Sequence, residues 1–256
     1  SLLRYLAAVA ALLVAARWLE GGLPRLTRRQ LLGTLLLGAT GIFAYNLFFL
    51  GALARLPASR TSLIIALNPV VTIAAASLLM NEQMSARRWL GVAVALAGVW
   101  IVVSRGDVWG SVAGAVGTGE LLMFGGVCSW AAYTLIGRRV LAGLTPLAAT
   151  TYASLWGTAL LSLAAARDLP SLAAADITPQ VVLSVLYLGV LGTSVAFVWC
   201  YQAVQRLGAA RTVIFNNLVP VFGASFGVLL LGEPLLPSML AGGAIAVAGV
   251  MLVTRG

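Results

Sequence analysis

The chain has 256 residues, of which 61% are hydrophobic and only 9% charged, with a mean hydropathy of +1.02 and a formal net charge of +9. A soluble domain carries about 25% charged residues, so this composition excludes a water-soluble globule and points to a polytopic membrane protein. All sixteen basic residues are Arg, with no Lys and no His, which excludes a Lys Schiff base, imidazole-bound haem or zinc, and a Ser-His-Asp triad. Cys128 and Cys200 are too few for a thiolate metal site or a disulfide framework and read as small packing residues. No cofactor is expected. The Arg residues are scattered between apolar runs, a pattern that orients membrane spans rather than one that binds nucleic acid.

A bilayer core about 30 Å thick takes about 20 apolar residues per helix. Runs of this kind occur at 2–18, 31–54, 61–80, 89–104, 119–137, 147–166, 181–204, 212–231 and 239–254. Backbone groups in lipid must be satisfied within the segment, so all nine are predicted as helices. The connections carry Arg, Gly, Pro and Asp, and neither of the longest, 105–118 and 167–179, could hold a separate domain.

An internal repeat reorganises this list. At an offset of 151 residues Gly38 meets Gly189, Gly41 meets Gly192, Arg55 meets Arg206 and Arg60 meets Arg211. Further on, Pro69 meets Pro220, Glu82 meets Glu233, Gly91 meets Gly242 and Gly98 meets Gly249. The repeats are read as residues 1–105 and 106–256. A five-helix unit is odd, so its second copy enters the membrane inverted, as in many secondary transporters. The span 119–137 has no mate, so one N-terminal helix is expected to be missing: nine helices here, ten in the parent. Placing Ser1 outside puts Arg4, Arg55, Arg60, Arg105 and Arg167 on the outer side and the other Arg residues on the cytoplasmic side, with a cytoplasmic C-terminus.

Three sets of residues are candidates for function. Pro69 and Pro220 interrupt matched spans near their middles and free the carbonyls of Ile65 and Asn216. Paired breaks in inverted repeats point to a substrate site. Asn68, Asn216 and Asn217 flank them, contacting substrate, capping the broken backbone or holding helices together. Tyr45, Trp130, Tyr133, Trp156 and Trp199 lie in their spans, the last four further in, as cavity lining or as core; Trp130 and Tyr133 share a helical face. Trp18, Trp89 and Trp109 fit an interfacial belt. Glu82, Glu120 and Glu233 stand at helix ends, either held by a structural partner or acting as gates. Glycines such as Gly38-x-x-Gly41 and Gly125-Gly126 read mostly as close helix packing. No acid lies near a span centre, which suggests a neutral or zwitterionic substrate.

The strings Asn68-Pro69, Asn81-Glu82, Gly91 and Ala97-Gly98-Val99 recur as Pro220, Gly232-Glu233, Gly242 and Ala248-Gly249-Val250. Together they resemble an EamA-type repeat of the drug/metabolite transporter superfamily. Trp130-Ala131-Ala132-Tyr133 with Gly137-Arg138-Arg139 is similar to the first helix of that family's second repeat, and Leu3-Arg4-Tyr5 to the start of its second helix. The resemblance implies an all-α inner-membrane permease of two inverted five-helix repeats that exports amino acids or other small metabolites by alternating access. Its partners are then a small solute and the lipid bilayer, and its oligomeric state is open. The alternative on the same fold is a non-transporting scaffold or a lipid-handling, flippase-like protein. A membrane-embedded enzyme would need a nucleophile and base that this inventory does not supply.

Overall fold

The computed structural model describes residues 2–80, 85–104, 116–166, 178–208, 212, 218–232, 234 and 236–255, and among them the chain is helical throughout its ordered elements. In chain order the helices are α1 (Leu2–Leu19), α2 (Arg28–Leu37), α3 (Tyr45–Leu53), α4 (Ala58–Ile65), α5 (Asn68–Met80) and α6 (Ala86–Val103). They continue as α7 (Thr118–Val140), α8 (Pro146–Ala165), α9 (Pro179–Leu186), α10 (Ala196–Leu207), α11 (Leu218–Leu231) and α12 (Pro237–Arg255). Two π-helical segments, π1 (Gly38–Ala44) and π2 (Tyr187–Val195), make continuous spans of α2 with α3 and of α9 with α10. Among the described residues seven helices are long and apolar enough to cross a bilayer; the fold is an all-α polytopic membrane protein.

Four helices, α2, α6, α8 and α9, begin one to three residues before the predicted apolar runs. The reason is capping. Thr27, Ser85, Thr145 and Thr178 each accept a backbone N–H of the first turn, and such polar starts belong to the helix without adding hydropathy. Thr27 and Gln30 form a reciprocal capping box, and Thr178 is the repeat mate of Thr27. At the far end of α10, Gly208 takes φ +85°, a left-handed stop that other residues resist. The π segments have no predicted counterpart, although they fall on the matched pair Gly38 and Gly189.

The chain forms two compact units, Ser1–Ala44 with Ile136–Gly208, and Tyr45–Leu135 with Ala209–Gly256. Each draws on both halves of the sequence. In the first unit Gly38 lies on the backbone of α8, where an added methyl would sit 2.7 Å from the Ala153 carbonyl oxygen. Its repeat mate Gly189 lies on α1, 2.6 Å by the same measure from the Arg4 carbonyl oxygen. Matched glycines thus each dock a helix of the other half.

In the second unit α6 and α12 pack antiparallel along their length. A methyl at Gly98 would lie 2.3 Å from the Ala246 nitrogen, and one at Gly249 would lie 2.3 Å from the Ala95 nitrogen. Gly91 meets Gly249 and Val253, while Gly242 meets Gly98 and Val102. Equivalent helices of the two repeats therefore run in opposite directions against one another, which is the inversion required by an odd-numbered unit. In lipid, where apolar burial between helices gains little, such backbone contact supplies the packing and allows Cα–H···O contacts. A core of Ile64, Ile65, Leu67, Val70, Met123, Val127, Ala246 and Val250 joins this seam to α4, α5 and α7.

Two expectations are corrected here. Arg60 is not a loop charge: it stands in the first turn of α4 and is buried, because an acid from α7 reaches it. Cys128 is exposed and Cys200 half-buried, so Cys128 is not a packing residue; it lies on a face of α7 other than the one formed by buried Val127, Ala131 and Tyr133.

Candidate functional site

The aromatic set gathers in the second unit. On α3, Tyr45 and Phe49 are one turn apart and stack with centroids 5.7 Å apart and rings 7° from parallel. Tyr45 meets Trp130 of α7 at 5.1 Å and 52°, and Trp130 meets Tyr133 at 5.3 Å and 41°. Tilted pairs at this separation suit the ring quadrupole. The helices come this close because α7 carries glycine opposite α3: an added methyl at Gly125 would touch the Phe48 ring at 3.3 Å. Tyr45 and Phe49 also pack on the core that contains Leu67 and Val70, so the ladder and the start of α5 share one apolar cluster.

The Pro69 break is present. α4 ends at Ile65, and the Ala66 and Leu67 N–H groups donate to Leu63 and Ile64 at 3.2 and 3.0 Å, tightening the turn before α5. Pro69 is the second residue of α5, where no N–H is required. Asn68 opens the helix and Thr72 follows one turn later, each 2% exposed. Among the described residues neither Asn68 Oδ1 nor Thr72 Oγ1 has a hydrogen-bond partner. A buried polar group left so costs about 1–3 kcal/mol.

Glu120 belongs to a buried ion pair. Its Oε1 lies 2.8 Å from Arg60 Nη2, with both side chains less than a tenth exposed. Glu120 Oε2 accepts the Gly117 N–H at 2.9 Å, and Arg60 Nη2 also donates to the Val103 carbonyl. The pair therefore ties the starts of α4 and α7 to the end of α6. Each end brings its own reason: Glu120 complements the positive N-terminus of α7, and the Val103 carbonyl is one that α6 cannot satisfy internally.

In the first unit Trp156 is half-buried on α8 beside Gly38. Its indole N–H, with the hydroxyls of Thr150 and Ser154 on the same helix, has no partner among the described residues. Trp199 does not join either group; it is 67% exposed, because α10 buries Tyr201 and Val204 and turns Trp199 away from them. Pro220 lies in α11. Asn216, Asn217, Glu82 and Glu233 lie outside the described residues.

Sequence reasoning passed over Asn46, Thr72 and Arg60. Asn46 is 2% exposed between the aromatic residues of α3; its signal is an amide in the middle of an apolar span. Thr72 could have been found as the residue four after Asn68. Arg60 had no local signal, since its partner is sixty positions away. Among the described residues no group of three or more His, Cys, Asp or Glu could hold a metal ion. The aromatic faces, amides and hydroxyls described here are groups that can stack on a solute and hydrogen-bond to it.

The profile of the EamA-like transporter family matches residues 1–104 and 117–255. A probable terminal-alkyne amino-acid exporter of Streptantibioticus cattleyicolor is 32% identical over 262 residues, covering 100% of this chain and 83% of that protein. The uncharacterized transporter YyaM of Bacillus subtilis is 29% identical over 251 residues, covering 97% and 81%. A probable amino-acid metabolite efflux pump of Salmonella typhimurium is 26% identical over 239 residues, covering 90% and 77%. A solved crystal structure shares the fold with a TM-score of 0.69 at 20% identity, over 99% of this chain and 86% of that one.

Proposed function

Because the chain belongs to the EamA-like transporter family, we propose that it exports amino acids or closely related neutral and zwitterionic metabolites across the inner membrane by alternating access, with its C-terminus in the cytoplasm. The observation that carries this reading is the joining of the Tyr45–Trp130–Tyr133 ladder to the broken α4–α5 span through one cluster. Aromatic faces receive an apolar side chain, and the amide and hydroxyl groups of Asn68 and Thr72 receive its polar head. The Glu120–Arg60 pair is read as a fastener at a span end. Asn216, Asn217 and Pro220 are kept as contacts contributed by the second repeat, whose limits are taken as 106–256 beside a first repeat of 1–105. The relatives named as amino-acid exporters support the solute class.

The test is purified protein in liposomes, screened for counterflow of each standard amino acid. Uptake above protein-free liposomes for at least one is the expected result; uptake of none overturns the solute class. Within that assay Trp130→Ala lowers the rate about fivefold, an aromatic contact being worth about 1 kcal/mol. A variant that is folded and transports at the wild-type rate removes the ladder from the site.

A further inference from the structure

Asn68 and Thr72 stand four residues apart on α5 and so are neighbours on one helical face. Both are buried, and both carry an oxygen that no group among the described residues satisfies. Asn68 Oδ1 lacks a donor, and the Thr72 hydroxyl lacks a partner of either kind. Asn68 Oδ1 only accepts, and the Thr72 hydroxyl accepts as well as donates. A primary ammonium group brings three N–H donors on a compact head and can reach both oxygens together; a carboxylate brings none and would face the amide oxygen. We propose that Asn68 and Thr72 form an amine-accepting subsite, which holds the protonated primary amine of the solute. This rests on the transport reading above and adds to it which end of the solute lies against α5.

The start of α5 makes the proposal sharply testable, because the positive end of a helix favours an anion. An anion-binding helix terminus and an amine-accepting pair therefore predict opposite preferences. Thr72→Cys is made together with Cys128→Ser and Cys200→Ser, and its modification is timed in membrane vesicles with three methanethiosulfonates. These are the aminoethyl, trimethylammonioethyl and sulfonatoethyl reagents, each rate normalised to a free thiol. The aminoethyl reagent, alone in donating N–H bonds, reacts about tenfold faster than either of the others, as expected for a hydrogen bond to a charged donor. Asn68→Leu removes most of this advantage, and Asn68→Asp, which keeps the acceptor, preserves or raises it.

Failure of all three reagents to reach Thr72→Cys overturns the subsite, as do equal rates or a faster sulfonate. The two readings fail separately. If wild-type protein carries amino acids while the thiol is unreachable, transport stands and the subsite falls. If no amino acid is carried but the aminoethyl preference holds, the subsite stands and the solute class is wrong.

Discussion

The α6–α12 seam and the α4–α5 break lie in the same compact unit and solve opposite problems. The seam is glycine against backbone, with Gly91, Gly98, Gly242 and Gly249 all serving as contact points. The break is polar, with an ion pair at one end and two unsatisfied oxygens at the other. The repeat explains the contrast. Every seam glycine has a glycine mate at the 151-residue offset, whereas Asn68 is matched by Val219, Thr72 by Gly223, Tyr45 by Ala196 and Asn46 by Phe197. The scaffold and the proline of the break are duplicated, while the amide, hydroxyl and tyrosine side chains around the first break are not, so one asymmetric solute can be met by a nearly symmetric frame.

The largest effect is expected at the ion pair. Glu120→Leu leaves the Arg60 charge buried alone and lowers stability by about 3–5 kcal/mol, read by thermal unfolding in detergent. Arg60→Met added to Glu120→Leu restores most of the loss; no recovery would mean that the pair holds more than itself. Gly98→Ala tests the other region. Its methyl meets backbone, which cannot swing aside, so a loss of about 1–3 kcal/mol is expected in the same melt. If Gly98→Ala melts at the wild-type temperature, the seam is looser than backbone contact implies and the contrast dissolves.

Two smaller changes calibrate the scale outside both regions. Thr145 caps α8 and donates to Glu20 at 2.9 Å, and Thr145→Ala costs about 1 kcal/mol. Trp199→Leu, on an exposed position, stays within about 0.5 kcal/mol of wild type and leaves transport unchanged. A transport defect in Trp199→Leu would return that residue to the site.

Span positions were legible because hydropathy follows the bilayer, and the α4–α5 break because Pro removes a donor wherever it stands. The shared face of Trp130 and Tyr133 was legible from helical spacing alone. The π segments were not, since their residues are ordinary helix formers around glycine. Nor was the burial of Arg60, which depends on Glu120 arriving from another helix. Trp199 misled because depth along a span is written in the sequence, while direction around it depends on which neighbours are present.

The seam carries a consequence beyond packing. Gly91 against Gly249 and Gly98 against Gly242 are the same contact made twice, once in each direction. That is the geometry of an isologous dimer interface, in which one surface recognises its own copy, here closed within a single chain. A side chain admitted at Gly91 or Gly98 is thereby tried against the repeat mate of the other, at Gly249 or Gly242. The two repeats can diverge freely in what they present to the solute, but along this line they remain bound to a common vocabulary of small residues.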